Sequence, residues 1–387
     1  MTDQAPAFGF GTAGRVIFGS GRAAELGTLI SGWGSRALIC TGSRPQAHQA
    51  LLASVPIPTE VFTVIGEPTV EMARAAVAAA RAQAADVVVA IGGGSVLDVG
   101  KAVAMLLGNG GEPLDYLEVI GAGRPITKPA VPFIAIPTTA GTGAEVTENA
   151  VLASPEHGRK ASLRSPLMLP RIALVDPLLT LGCLPAVTAA SGLDALTQCL
   201  EPFVSRQASP LTDALAREGL SRASSGLRAA YRDGANTAAR TDMALCSLLG
   251  GMSLANAKLG AVHGFAGVIG GMVDASHGAI CAALLAPVVE VNLSALRLRD
   301  PASVALERYR EAAALLTGRP EAEIEDGIDW IRQTVALLGI PGLGALGVPS
   351  GLADEIVVKV GTASSTKGNP IALTDGELQE AFDRAFS

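Results

Sequence analysis

Ala85-Asp-Val-Val-Val-Ala-Ile91 runs directly into Gly92-Gly-Gly-Ser-Val-Leu-Asp-Val-Gly-Lys101, and this junction decides the fold class. The first part is continuous, apolar and β-branched, as a strand covered on both faces must be. The glycines then let the backbone approach a ligand, because no Cβ stands in the way. The helix that follows presents unpaired N–H groups and a partial positive charge, which suits a pyrophosphate. The spacing is neither G-x-G-x-x-G nor the Walker pattern, so taken alone the triplet reads equally as a tight strand-to-helix turn.

A second loop favours the nucleotide. Pro137-Thr-Thr-Ala-Gly-Thr-Gly-Ala-Glu145 follows another apolar run, Val131–Ile136, and gathers hydroxyls and glycines at the carboxyl end of a strand. That is the usual ligand crevice of a parallel sheet. Thr138, Thr139 and Thr142 can donate to phosphate or ribose oxygens, or serve as ordinary caps and turn residues. Strand-like runs at Arg36–Gly42 and Arg171–Asp176, with an Ala-rich helix over Thr69–Ala84 between them, predict a doubly wound, mostly parallel α/β domain. Beyond Asp176-Pro-Leu-Leu-Thr the texture becomes helical, with apolar spacing over Asp213–Ala230, Ala238–Leu259 and Ala302–Leu316. The expected division is therefore an α/β domain over residues 1–180 and an all-α domain over 181–387. Asn369-Pro reads as a turn opening the last helix, with Thr374 as its cap and Glu377 three residues on.

Composition narrows the function. A net charge of −7, mixed along the chain, gives no footprint for nucleic acid. No uninterrupted apolar run reaches the ~18 residues of a spanning helix, and the start lacks a secretory pattern, so no membrane association is expected. Five cysteines without C-x-x-C spacing read as reduced core residues of a cytoplasmic protein. Charged residues make up 17%, below the roughly 25% of typical domains, which suggests extensive burial, either internally or in the interface of a homodimer or larger assembly.

Only four histidines occur, and two of them are His263 and His277. With Asp194 and Gln198, a carboxylate and an amide on one helical face, they read as a metal site on packed helices. His48 and His157 read as surface residues. Asp274 either orients His277 or is a turn residue.

Taken together, these loops and the Asp194–His277 group resemble the iron-containing (group III) alcohol dehydrogenase family. The resemblance extends from Phe18-Gly-Ser-Gly to Asn369-Pro. It implies a dehydroquinate synthase-like architecture, an active site between the two domains, and hydride transfer between NAD(P) and an alcohol or aldehyde. In that frame Gly93, Gly94 and Ser95 match the pyrophosphate loop, with Asp98 in its helix. Thr138, Thr139 and Thr142 match the second nucleotide segment, while Lys160 and Leu179 fall near the ribose and nicotinamide. Asp194, His263 and His277 match three of four metal ligands, Fe²⁺ or Zn²⁺ being the expected ion.

Two positions depart from the family pattern. Gln198 stands where it usually carries a ligand histidine, and Gly267 where it carries a second active-site histidine. An amide oxygen is a weaker donor than imidazole. Two readings follow: a bound divalent ion with Gln198 as fourth ligand, or a metal-free site in which catalytic His263 or His277 donates a proton. Gly267 leaves room for a water-mediated relay or a bulkier substrate. Other readings are a metal-free reductase of a small oxo acid, a lyase of the dehydroquinate synthase type, and a catalytically silent nucleotide-binding relative. After the strand ending at Thr41, Gly42-Ser43-Arg44 carries no carboxylate to repel a 2′-phosphate, so Gly42 and Ser43 are expected to take NADP in preference to NAD.

Overall fold

The structure, a computed structural model, describes residues 7–386. The chain divides into two compact units. One comprises Thr12–Thr139 and Gly143–Gly182. The other comprises the described residues of the segment from Cys183 onward, Ala140–Thr142 and the described part of the segment up to Gly11. Thr138 and Thr139 thus belong to the first unit and Thr142 to the second.

In the first unit, β1 (Arg15–Phe18), β2 (Ala37–Thr41), β3 (Thr59–Thr63), β4 (Val87–Gly92), β5 (Phe133–Pro137) and β8 (Ile172–Val175) form a parallel sheet in the order β1-β8-β5-β4-β2-β3. Alternation sorts the side chains. Leu38, Cys40, Val88, Ala90, Phe133 and Ala135 fill the core on one face, and Ile39, Val89, Ile91, Ile134 and Ile136 fill the core on the other. With both faces covered, period-2 polarity disappears and the strands read as unbroken apolar runs. From β2 the chain steps out to β3, then returns across β2 to β4 and onward to β5. The order therefore reverses between β2 and β4, the place where open α/β sheets take ligands. An antiparallel hairpin, β6 (Asn149–Ser154) with β7 (Arg159–Arg164), is an addition that the sequence reading passes over. Helix α1 (Val70–Ala82) is capped by Thr69, whose side chain accepts from the Met72 N–H, and α2 (Gly94–Asn109) follows β4.

The second unit is helical: α3 (Pro185–Val204), α4 (Pro210–Arg232), α5 (Thr237–Ala257), α6 (Ala261–Met272), α7 (His277–Arg299), α8 (Val304–Thr317), α9 (Ile324–Leu337), α10 (Ala353–Thr362) and α11 (Asp375–Phe386). Its core is aliphatic, with Leu193, Leu196, Leu220, Leu227, Ile280, Leu284 and Leu285 among its buried members. Helix α7 is long and apolar enough by composition to cross a membrane, although Glu290 and Asn292 interrupt its apolar run. Most of it, 78% of its most apolar window, is buried against the rest of the unit. Thr374 does cap α11, exchanging bonds with Glu377. Asn369, expected to help open that helix, instead accepts the Ala261 N–H at 3.0 Å and so caps α6.

Candidate active site

The loops expected to hold a nucleotide lie side by side at the carboxyl ends of adjacent strands. Thr41 pairs in register with Ile91, so Gly42 follows beside Gly92. Gly92 pairs with Pro137, and the Thr138 N–H donates to the Gly92 carbonyl at 2.9 Å. A Cβ on Gly93 would lie 3.2 Å from Thr139 Oγ1, so only glycine lets the two loops close on one another without adjustment. Gly93 is the N-cap of α2 and no side chain caps that helix, which leaves its first N–H groups for a ligand. The Thr41 hydroxyl at the end of β2 is buried without a hydrogen-bond partner, a polar atom that the sequence did not single out.

Other expected nucleotide contacts have partners inside the first unit. Asp98 Oδ1 lies 3.1 Å from Lys101 Nζ, and Asp98 Oδ2 accepts the Val151 N–H. This ties α2 to the hairpin. Lys160, on β7, pairs with Glu67 at 2.7 Å. Leu179 is half-buried against the sheet core. Ser43 and Arg44 are exposed, and Arg44 has no ion pair among the described residues.

In the helical unit, Asp194, His263 and His277 meet. Asp194 Oδ1 is 3.3 Å from His263 Nε2 and 3.9 Å from His277 Nε2, and the two rings lie 5.5 Å apart. Gln198, one turn after Asp194 on α3, donates its Nε2 to Asp194 Oδ2 at 3.0 Å. Three atoms of this group, Asp194 Oδ1, Gln198 Oε1 and His263 Nε2, are buried without a well-formed hydrogen bond, the first and third facing each other at 3.3 Å. Buried polar atoms are normally paired, so this concentration of orphans fits a cation-binding group. Cys281, four residues after His277 on α7, completes a cluster whose ligand atoms all lie within 4.8 Å of one another.

Two further residues position His263. Glu201, seven residues after Asp194 and on the same face of α3, accepts from His263 Nδ1 at 2.7 Å and from the Val262 N–H at 2.8 Å. Helix α6 has no capping side chain of its own, so Glu201 and Asn369 together anchor its first turn. With Nδ1 carrying the proton toward Glu201, Nε2 turns toward Asp194. The carboxylate–imidazole arrangement is the one that orients metal-bound histidine. The sequence reading missed Glu201, although its i+7 spacing from Asp194 was visible. Asp274, considered as the partner of His277, is exposed and has no bond to it among the described residues. Cys281 Sγ, at 3.7 Å from His277 Nε2, occupies that place instead.

Electrostatics agree with a strongly charged pocket. Burial opposes the charged ring of His263, but Cys281, Asp194 and Glu201 outweigh it and hold its pKa well above the ordinary value. The His277 pKa is raised as well, against burial, chiefly by Cys281 and Asp194. Burial opposes ionisation of Asp194, yet the two histidines and Gln198 hold its pKa below the usual range. The pocket therefore favours a cation, whether a metal ion or a proton.

An uncapped helix at the switch point of a parallel sheet suits an anionic ligand, and a carboxylate–imidazole cluster among helices suits a cation. Residues 13–177 match the family described as iron-containing alcohol dehydrogenase, and residues 188–386 match the C-terminal part of that family. Alcohol dehydrogenase 4 of Saccharomyces cerevisiae is 35% identical over 320 residues, covering 82% of this chain and 81% of its own length. A solved 1,3-propanediol oxidoreductase is 31% identical with a TM-score of 0.91, covering 98% of this chain and 100% of that one. A sulfoacetaldehyde reductase from Bifidobacterium kashiwanohense, solved in complex with NAD⁺, is 26% identical with a TM-score of 0.87, covering 99% and 100%. The chain belongs to the iron-containing alcohol dehydrogenase family and is an oxidoreductase acting on CH–OH groups.

Proposed function

We propose that the loops after β2, β4 and β5 hold NAD(P), and that Asp194, His263, His277 and Gln198 hold a divalent ion, for interconversion of a small alcohol and its aldehyde. The observation that carries this reading is the set of orphaned buried atoms on Asp194, Gln198 and His263. A divalent ion bound there supplies a Lewis acid for the negative charge that grows on the substrate oxygen during hydride transfer. Asp194 brings the anionic donor, and Gln198 Nε2 occupies its second oxygen so that Oδ1 stays directed to the cluster. Glu201 fixes the His263 tautomer with Nε2 free. The His277 side chain is 33% exposed, the most open member of the group, so a substrate oxygen can reach the cluster on its side.

At the nucleotide end, the N-terminus of α2 takes the pyrophosphate, with Gly94 and Ser95 in its first turn and the hydroxyls of Thr138, Thr139 and Thr142 as added donors. The exposed, unpaired Arg44 beside Gly42 and Ser43 supports NADP over NAD. The free cysteines fit a cytoplasmic enzyme. The exposed apolar Val61 on edge strand β3 is one surface a second copy could cover. The deciding experiment measures metal content and NAD(P)H turnover across short alcohols and aldehydes. Bound divalent metal, with turnover abolished by chelation and restored by adding the ion back, is expected. Full turnover in metal-free protein overturns the metal reading. It would favour a second one, supported by the raised His277 pKa and exposure, in which His277 protonates the substrate oxygen.

A further inference from the structure

Gln198 stands on α3 where the family resemblance leads one to expect an imidazole, and the structure brings a sulfur on α7 into the same cluster. Cys281 is fully buried, yet its Sγ belongs to the cluster formed by Asp194, His263 and His277. His277 and Cys281 stand four residues apart on one helix, the same spacing by which Asp194 and position 198 share a face of α3. Gly278 makes the arrangement possible. A Cβ there would lie 2.3 Å from the Ala190 carbonyl oxygen, so α7 begins with its backbone pressed against α3 beside Asp194.

We propose that Cys281 is the fourth metal ligand, so that the ion is held by one carboxylate, two imidazoles and one thiolate, with Gln198 acting as a positioning residue for Asp194. This rests on the metal reading above and changes its donor set. The distances fit. A tetrahedral ion with bonds of about 2.3 Å to sulfur and about 2.0–2.1 Å to nitrogen or oxygen sets S···N edges of about 3.6 Å and N···O edges of about 3.4 Å. The observed edges are 3.7 Å from Cys281 Sγ to His277 Nε2 and 3.3 Å from His263 Nε2 to Asp194 Oδ1. The longer 3.9 Å edge from His277 to Asp194 closes with a small ring movement. Asp194 and His263, at 2% and 5% exposure, point their unpartnered Oδ1 and Nε2 into the same cluster. The Gln198 amide has already committed its nitrogen to Asp194 Oδ2, and its neutral oxygen is a weaker donor than a thiolate. On binding, the thiol proton leaves to solvent and sulfur takes its place in the coordination shell. A sulfur donor shifts preference from Fe²⁺ toward the softer-ligand metals, Zn²⁺ first.

Cobalt(II) substitution of the full-length protein tests this without reference to turnover. Stoichiometric Co²⁺ with an intense near-ultraviolet thiolate-to-cobalt charge-transfer band is expected, and the band should vanish in C281S while persisting in Q198A and C199S. Zinc affinity in C281S should fall by at least about tenfold, the lower bound for loss of a supporting contact. Stoichiometric Co²⁺ without that band in the unsubstituted protein overturns the cysteine assignment and leaves the metal reading standing. Failure to bind Co²⁺ or Zn²⁺ at all overturns both. Because the band is read first in the unsubstituted protein, a folding defect in C281S does not obscure the outcome.

Discussion

Each unit of this protein buries a cluster of charged side chains, and the two clusters are solved differently. In the α/β unit, Lys101, with none of its side chain exposed, meets Asp98 at 3.1 Å, the Thr147 hydroxyl at 3.0 Å and the Asn149 carbonyl. Asp98 in turn takes the Val151 N–H. No atom of that group is left without a partner. In the helical unit, Asp194, Gln198 and His263 are as deeply buried and leave three atoms orphaned. A buried charge costs several kcal/mol unless its neighbours complete it. The first cluster is complete within the polypeptide and acts as a bracket between α2 and the hairpin. The second is left incomplete by the polypeptide. Burial and charge alone do not separate structural from functional clusters; satisfaction of every lone pair and proton does.

The sharpest way to break this contrast is to remove one charge from each cluster. Asp194→Asn should lower kcat/KM by about a thousandfold, the several kcal/mol that a Lewis acid contributes, while stability of the metal-free protein changes by less than about 1 kcal/mol. Lys101→Met should do the reverse. It strands Asp98 in the interior and should cost about 3–5 kcal/mol by urea unfolding. Equal stability losses in the two variants would refute the distinction.

Glu145 extends the comparison to pH. It ends the Pro137–Glu145 loop, is 2% exposed, and burial lifts its pKa from 4.5 to about 7, with Lys101 only partly opposing. Because the folded pKa lies above the unfolded one, the folded state holds this proton more tightly. Stability from this group is therefore lost as pH rises from about 4.5 to about 7 and is constant above. The full difference is about 3 kcal/mol. Glu145→Gln should accordingly be more stable than the parent by about that amount at pH 8, and equal to it below pH 4.5. A stability gap independent of pH would contradict the assignment.

The sequence made the α/β unit legible because its central strands are buried on both faces, and runs such as Val87–Ile91 carry no competing signal. The β6–β7 hairpin escaped notice because Asn149–Ser154 is buried on one face only and its alternation is interrupted by polar ends. At the site, His263 and His277 stood out by the rarity of histidine, and Asp194 by its spacing from Gln198 and by the family resemblance. Cys281 did not, because cysteines spread along the chain look like core residues until helix α7 sets one a turn from His277. Glu201 and Asn369 were missed for a related reason. They act on α6 from remote segments, and only tertiary packing joins Glu201 to His263 across 62 positions. His277 and Cys281 depend on Gly278 in the same way. Gly278→Ala would drive a Cβ into the Ala190 carbonyl and should cost about 1–3 kcal/mol, with weaker metal binding measured by competition against a chelator.

Helix α6 carries the smallest test of the contrast, inside a single turn. Gly264 and Gly267 are both helical glycines beside His263. A Cβ on Gly264 would sit 2.3 Å from Thr366 Cγ2, so that face is committed to packing against the segment after α10. Gly267 is exposed, and a Cβ there would meet nothing within 4 Å. A helical glycine with no steric reason to be glycine costs the fold conformational entropy without return. Gly267→Ala should therefore stabilise the protein by about 0.5–1 kcal/mol in thermal unfolding, whereas Gly264→Ala should destabilise it. If Gly267 is kept open for substrate or for a water beside the cluster, the stabilised variant should show a raised KM for larger alcohols with little change for the shortest ones. A Gly267→Ala variant that is stabilised and kinetically unchanged for every alcohol would show that the open space on α6 has no part in the reaction.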